Sequence, residues 1–233
     1  MNINKESNFV NNKSVYDITK FTHLDYPNQL ACIIWFSGCN MRCDYCYNKD
    51  IVLANNGNYS TSDVLKFLRS RKELLDAVVL SGGEASNHNL TELCKEIKKL
   101  GFKIKLDTNG TNFVNIRTLY ELNLIDYIAL DYKAPSYKFK EITKSGKFNT
   151  FSTTLQYLIS NNVDFEVRTT LHSDLLNEDD INEIIKDLDS RGYKNSYYIQ
   201  EFMETENNIG NIESPKNSFD KDKLLDSFDV VFR

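Results

Sequence analysis

No apolar run in this chain is long enough to cross a bilayer; the longest are about a third of the roughly 18–20 residues that a helical span requires. Its opening stretch, MNINKESNFVNNKS, is polar and rich in asparagine, and it lacks the apolar segment of a secretory leader. An excess of positive charge is missing too. With 28 Lys and Arg against 33 Asp and Glu the net charge is −5, which argues against a nucleic-acid partner, because a phosphate backbone attracts a broad basic surface. Histidine is scarce: only His23, His88 and His172 occur. The five cysteines are odd in number and, with no secretory segment, argue against a disulfide framework. The expectation is a cytoplasmic protein with reduced thiols and neither a membrane nor a nucleic acid as partner.

What is present suits a globular protein. A chain of 233 residues with 41% hydrophobic residues fits one α/β domain. At this size roughly 70–75% of the unfolded chain's surface is buried, enough for a substantial core. The division expected is a polar tail over residues 1–14, a core over 15–202 and a terminal stretch over 203–233. That last stretch begins polar and loop-like, and its end, KLLDSFDVVF, supplies a small helix or an edge strand.

Six short β-rich runs alternate with helical patterns: Ala31–Phe36, Ala77–Ser81, Lys103–Asp107, Tyr127–Asp131, Asp164–Thr170 and Ser196–Phe202. Several are almost continuously apolar, as strands covered on both faces of a parallel sheet should be. Leu90, Leu93, Cys94, Ile97 and Leu100 mark a helix closed by Gly101, which makes Cys94 core filling and not a ligand. Ile181, Ile184, Ile185 and Leu188 mark another, with Asn177 as its N-cap and Gly192 after its end. Two more helices are predicted over Asp63–Leu74 and from about Thr150 to Ser160. Alternation of this kind implies right-handed βαβ units. Six of them make an α/β fold of mostly parallel strands, an open and incomplete version of the eight-stranded barrel, with its chemistry at the carboxyl ends of the strands.

The sharpest motif is the run CNMRCDYCYN, where Cys39, Cys43 and Cys46 lie within eight residues. Thiolates at this density are soft ligands for an iron–sulfur cluster or for zinc. Zinc wants a fourth Cys or His at short spacing, and none of the histidines is close in sequence. Cys32, seven residues before Cys39, lies in the apolar run ACIIWF. Three thiolates on a four-iron cubane leave one iron without a protein ligand, and an open metal position does chemistry.

Other motifs follow the strands. Ser81-Gly82-Gly83-Glu84 follows AVVL, and its two glycines serve either a tight connection or a close approach to a ligand. Asp107-Thr108-Asn109-Gly110 closes the third strand and Asp131-Tyr132-Lys133 the fourth; read blandly, they are a turn and a surface pair. Arg168, inside the strand DFEVRTTLH, needs an anionic partner there. Phe202 ends YYIQEF, a position for core packing or for a ring to stack on a ligand.

Taken together, C-x3-C-x2-C with Tyr45 before its last cysteine, GGE, LDTNG and LD-x-K resemble the radical S-adenosylmethionine (SAM) enzymes, and within them the glycyl-radical activating enzymes. The resemblance covers about residues 16–202. The segment HLDYPNQLACIIWFSGCNMRCDYCYNKD is most like the activating proteins of anaerobic ribonucleoside-triphosphate reductase, which share L-D-Y-P and the Tyr-Asn after the last cysteine. One departure is Asn28, where the Y-P-G pattern has glycine.

This resemblance implies one [4Fe-4S] cluster on Cys39, Cys43 and Cys46. It implies SAM held by Tyr45, Gly82, Gly83, Glu84, Lys133, Arg168 and Phe202, with Glu84 on the ammonium and Lys133 near the carboxylate. It further allows a monovalent cation at Asp107, Thr108 and Asp131. The implied reaction is reductive cleavage of SAM to methionine and a 5′-deoxyadenosyl radical, which takes hydrogen from a glycine of the reductase large subunit. A low-potential donor of flavodoxin or ferredoxin type supplies the electron. Rival readings are an activase of another glycyl-radical enzyme such as pyruvate formate-lyase, a small relative such as 7-carboxy-7-deazaguanine synthase, and a zinc-stabilised binding module.

Overall fold

The structure, a computed structural model, describes residues 13–205 and 207–233, so that all but the end of the polar tail expected over residues 1–14 lies outside the described residues. The chain gathers into two compact units. Among the described residues, one unit comprises those up to Asn40, Asp50–Thr108 and Val114–Ile128, and the other Met41–Lys49, Asn109–Phe113 and those from Ala129 onward.

In the first unit the alternating run VYDITKFT forms β1 (Val15–Thr22), a strand not expected from the sequence. It pairs antiparallel with β2 (Ala31–Phe36), placing Ile18 opposite Ile34 and Thr19 opposite Ile33. From there the pairing is parallel: β2 runs in register with β3 (Ala77–Gly82) from Ala31 and Ala77 to Phe36 and Gly82, and β3 pairs parallel with β4 (Lys103–Thr108). Ala77, Val78, Val79 and Leu80 are all fully buried, which is why this run reads as continuously apolar and not alternating. The loop between β1 and β2 turns at Asn28, whose φ of 58° lies in the left-handed region that asparagine tolerates better than other side chains. Tyr26 from that loop packs on Ala31, Ile33, Ala77 and Val79.

Helices α1 (Lys49–Leu53) and α2 (Thr61–Arg69) lie between β2 and β3, α3 (Thr91–Lys99) lies between β3 and β4, and α4 (Phe113–Glu121) follows β4. The helix predicted over Asp63–Leu74 starts earlier and stops sooner, as α2. Ser60 and Asp63 form a capping box that fixes the start, and Glu73, at φ 70°, sits in turns that follow the end. In α3 the buried stripe is Leu93, Cys94 and Ile97, and Cys94 is core filling as expected. Neither α1 nor α4 was expected.

In the second unit β6 (Phe165–Leu171) pairs parallel with β7 (Tyr197–Glu201), and β7 with β8 (Val230–Phe232). The terminal run therefore supplies an edge strand, preceded by a single 3-10 turn at Lys221–Lys223. β5 (Tyr127–Asp131) begins in the first unit and ends in the second. The helices are α5 (Ser136–Thr143), which was not expected, α6 (Phe148–Ser160) and α7 (Glu178–Ser190). Phe148 extends α6 two residues ahead of the expected start, and its ring packs edge-on against Phe139 at 5.3 Å. α7 has the Asn177 cap read from the sequence, reciprocated by Asp180, and buries Ile181, Ile184, Ile185 and Leu188 completely. All six expected strands are present, with ends shifted by a residue or so, and two more strands flank them in sequence.

Candidate cofactor site

In the first unit the end of β2 leads through Ser37 and Gly38 to Cys39, and the Gly82-Gly83-Glu84 turn lies against that backbone. Gly83 N–H donates to the Phe36 carbonyl and Glu84 N–H to the Gly38 carbonyl, both at 2.9 Å. A Cβ on Gly82 would sit 2.3 Å from the Phe36 backbone, and one on Gly83 would sit 2.1 Å from the Gly38 oxygen. Gly82 also has φ +120°, a conformation that other residues rarely adopt. The two glycines thus let the turn press against the approach to Cys39. His88 reinforces the same stretch, its Nε2 lying 2.9 Å from the Ser37 carbonyl while its ring packs on Phe36.

Glu84 is 2% exposed, and its Oε1 accepts from Ser86 N–H at 3.1 Å, Ser86 Oγ at 2.6 Å and Thr108 Oγ1 at 2.8 Å. Thr108 therefore serves to orient Glu84. Asp107, next to it at the end of β4, accepts from Ser81 Oγ at 3.0 Å and has the Lys105 ammonium 3.0 Å from Oδ1. Lys105 is itself buried and donates to the Asp25 carbonyl at 2.6 Å, tying the β1–β2 loop to the sheet. Lys105, Ser81 and Ser86 were missed as site residues. A lysine two positions before an aspartate in a buried strand puts both on one face, and that parity was the available signal.

The second unit holds the rest of the cysteine loop. Cys46 N–H donates to the Cys43 carbonyl at 3.0 Å, closing a turn around Asp44 and Tyr45. Cys43 is buried, and burial pushes its thiol up to about 11. Tyr45 is also buried; its hydroxyl makes no hydrogen bond of regular geometry, and the Cys43 thiol is a polar neighbour. Burial holds the Tyr45 phenol well above its ordinary range. The Lys133 ammonium stands 5.8 Å from the centre of its ring.

Asp131 joins Lys133 to Arg168. Lys133 Nζ donates to Oδ2 at 2.9 Å and Arg168 Nε to Oδ1 at 2.5 Å. Burial works to raise the Asp131 pKa, but the two cations outweigh it and hold the carboxyl at about 2. Burial likewise opposes the charge on Lys133, and Asp131 beside it keeps the proton on. Asp131 is thus an anionic partner of Arg168. Phe202 follows β7, with its amide donating to Leu171 and its ring 4.8 Å from that of His172.

The structure thus groups Cys39 with Gly82, Gly83 and Glu84, and Glu84 with Thr108 beside Asp107, in one unit. Within the other it groups Cys43, Tyr45, Cys46, Lys133, Asp131 and Arg168. Phe202 packs with His172 instead. The donor set suits an iron–sulfur cluster: three thiols on one loop, one of them buried with an aromatic hydroxyl and an ammonium near it. Among the described residues no three His, Cys, Asp or Glu side chains are gathered as they would be around a single ion.

A family model for the radical SAM superfamily matches residues 33–189. A putative glycyl-radical enzyme activating enzyme of Methanocaldococcus jannaschii is 31% identical over 221 residues, which cover 89% of this chain and 83% of that protein. The pyruvate formate-lyase-activating enzyme of Clostridium pasteurianum is 29% identical over 141 residues, 57% of this chain and 58% of its own. Among solved structures, Streptococcus suis SuiB bound to S-adenosylmethionine superposes with a TM-score of 0.65 at 13% identity, over 86% of this chain and 51% of that one. This chain therefore spans about half the length of that structure. A likeness of this size shows the fold, mostly parallel α/β, that the sequence led one to expect.

Proposed function

Since the chain belongs to the radical SAM superfamily, we propose that it is an activase that cleaves SAM reductively and installs a glycyl radical on the large subunit of an anaerobic ribonucleoside-triphosphate reductase. The observation that carries this reading is the likeness, over 89% of the chain, to a protein named as a putative glycyl-radical enzyme activating enzyme. The choice of the reductase rests on Leu24-Asp25-Tyr26-Pro27 before β2 and on Tyr47-Asn48 after the last cysteine. Tyr26 and the Asp25 carbonyl fix that loop through the core and through Lys105.

Cys39, Cys43 and Cys46 would hold one [4Fe-4S] cluster and leave a fourth position for SAM. Bound together, cluster and SAM supply the reductive cleavage that gives methionine and a 5′-deoxyadenosyl radical. The chain's part is to bind, orient and exclude water. Glu84, its Oε1 held by three donors, would accept from the ammonium of the methionine moiety. Lys133 and Arg168 stay cationic beside Asp131 and would meet the SAM carboxylate, while Tyr45 and Phe202 supply apolar ring surface. A monovalent cation at Asp107, Thr108 and Asp131 would share those acids with internal cations, Lys105 on one and Lys133 with Arg168 on the other. Measuring SAM affinity across a potassium series tests it. The electron donor we assign is of flavodoxin or ferredoxin type, and the compartment the cytoplasm.

The test mixes anaerobically reconstituted protein, SAM, reductant and the reductase. A glycyl doublet in the electron paramagnetic resonance spectrum is the expected result. If deoxyadenosine forms and no doublet appears, the target is another protein. A second target, pyruvate formate-lyase, is favoured by the Clostridium pasteurianum relative and goes into a parallel reaction. Zinc without acid-labile sulfide in the purified protein would overturn the activase reading altogether.

A further inference from the structure

We propose that residues 208–213, in the stretch beyond β7, clamp the cysteine loop and position Cys43 and Cys46; the proposal rests on reading those two thiols as cluster ligands. Ile209 N–H donates to the Cys46 carbonyl at 3.0 Å, and Gly210 N–H to the Asp44 carbonyl at 2.8 Å. Two successive amides thus grip the carbonyls on either side of Tyr45. The contact leaves no slack, since a Cβ on Gly210 would sit 2.7 Å from the Asp44 Cβ and 2.9 Å from its Cα and its carbonyl oxygen.

The clamp is built to keep its own shape. Asn208, 2% exposed, accepts from Ile212 N–H at 2.8 Å, and its amide donates to the Ile212 carbonyl at 2.7 Å and the Thr205 carbonyl at 3.1 Å. A buried asparagine with both side-chain atoms engaged fixes a turn that a flexible linker would not hold. The far end is anchored beyond β6. His172, 3% exposed, has Nε2 at 2.9 Å from the Glu213 carbonyl, and Asp174 accepts from the amides of Lys216 and Asn217. Across the loop, Arg42 N–H donates to the Thr143 carbonyl at 2.9 Å and Lys144 pairs with Asp44 at 2.7 Å. The second and third cysteines are thus held between the end of α5 and the clamp. A cluster with three protein ligands depends on a loop whose thiols stay in place when the fourth position empties, and this segment supplies that constraint in the second unit.

The test compares the full-length protein with Ile209→Pro, which removes the amide, with Ile209→Ala, which keeps it, and with Gly210→Ala, which keeps the amide but crowds Asp44. Hydrogen exchange on the metal-free protein is expected to speed up by about tenfold at the Cys46 amide in Ile209→Pro and Gly210→Ala, and to stay at the wild-type rate in Ile209→Ala. On the reconstituted protein, iron release to a chelator should accelerate by about tenfold in the same two variants and stay at the wild-type rate in Ile209→Ala. Wild-type exchange in both variants overturns the proposal, as does an Ile209→Ala rate equal to that of Ile209→Pro. If Ile209→Pro does not fold, Gly210→Ala against Ile209→Ala decides alone. If the wild-type chain takes up no iron and sulfide, the cluster reading fails, while exchange on the metal-free protein still decides the clamp.

Discussion

Replacing Gly83 by alanine puts the turn after β3 under a strain whose size can be read from the structure. The new Cβ would lie 2.1 Å from the Gly38 oxygen, 2.6 Å from the Gly38 carbon and 3.1 Å from the Cys39 nitrogen. Ordinary contact between carbon and such atoms is about 3.4–4 Å, so one backbone must retreat by more than about 1 Å. Neither neighbour yields cheaply, because both belong to the main chain at strand ends. Overpacking of this kind costs about 1–3 kcal/mol of stability. The displacement falls on the segment that presents Cys39 and on the turn that presents Glu84, and a misplacement of about 1 Å at reacting groups costs on the order of 100-fold in rate.

The assay pairs urea unfolding of the metal-free protein with deoxyadenosine formation by the anaerobically reconstituted one. Gly101→Ala is the control. Gly101 has φ +94° and nothing within 4 Å of its would-be Cβ, so the substitution carries only the left-handed penalty of about 1–2 kcal/mol and leaves cleavage at the wild-type rate. A Gly83→Ala protein that cleaves SAM as fast as Gly101→Ala would refute the coupling of turn and cysteine loop.

Asp131→Asn leaves the half-buried Arg168 and Lys133 without this anion and is expected to cost about 1.5–3 kcal/mol, read as a lowered urea midpoint at unchanged slope; a loss under about 0.5 kcal/mol would mean that other groups hold the two cations. Asp180 links α5 to α7, accepting from Tyr137 OH and Lys138 Nζ at 2.6 Å each and from Asn177 N–H at 2.9 Å. Burial raises its pKa, but these donors prevail and hold it below the ordinary aspartate value. Its contribution is therefore present above the unfolded-state pKa and is lost as pH falls through the folded one, so the melting difference between wild type and Asp180→Asn should be full at pH 7 and shrink toward about pH 3. A difference that stays constant with pH would sink this assignment. Burial pushes the thiols of Cys32 and Cys94 up to about 12, so iodoacetamide at pH 8 should leave both unmodified in the native metal-free protein and reach them only in urea; mass spectrometry of the labelled peptides reads the outcome.

The strands were legible because parallel pairing buries both faces, and Ala77–Leu80 advertises that in composition alone. β1 was not, since its alternation VYDITKFT follows a polar tail and its partner is an antiparallel neighbour, not the next βα unit. α5 escaped for a related reason: Pro135 precedes it and no side chain caps it, so the start signal is missing. At the site, Cys39, Cys43 and Cys46 declare themselves by spacing, and Glu84 by its glycines. The sequence also pointed to an anionic partner for Arg168, a ligand or a neighbouring acid. That the acid is Asp131 depends on a pairing 37 residues away, which no local pattern records. The grip of Ile209 and Gly210 on the cysteine loop uses main-chain amides, and a main-chain donor has no signature in the sequence.

The charges inside this acidic chain share one logic. Asp107 ends β4 and Asp131 ends β5, and each has cations from within its own unit beside it: Lys105 in one case, Lys133 and Arg168 in the other. A carboxylate taken from water without such a partner would recover a proton and lose its charge. Paired in this way, Asp131 is held ionised, and both acids are fixed in direction by their cations. In each unit a carboxylate near a strand end is thus set beside a cation and needs no reorganisation to keep that direction. Stability alone does not favour this arrangement, because apolar residues of similar volume would serve a core as well or better. Under the proposed function, the placement of Asp107 and Asp131 near the carboxyl ends of β4 and β5 suits a role in binding.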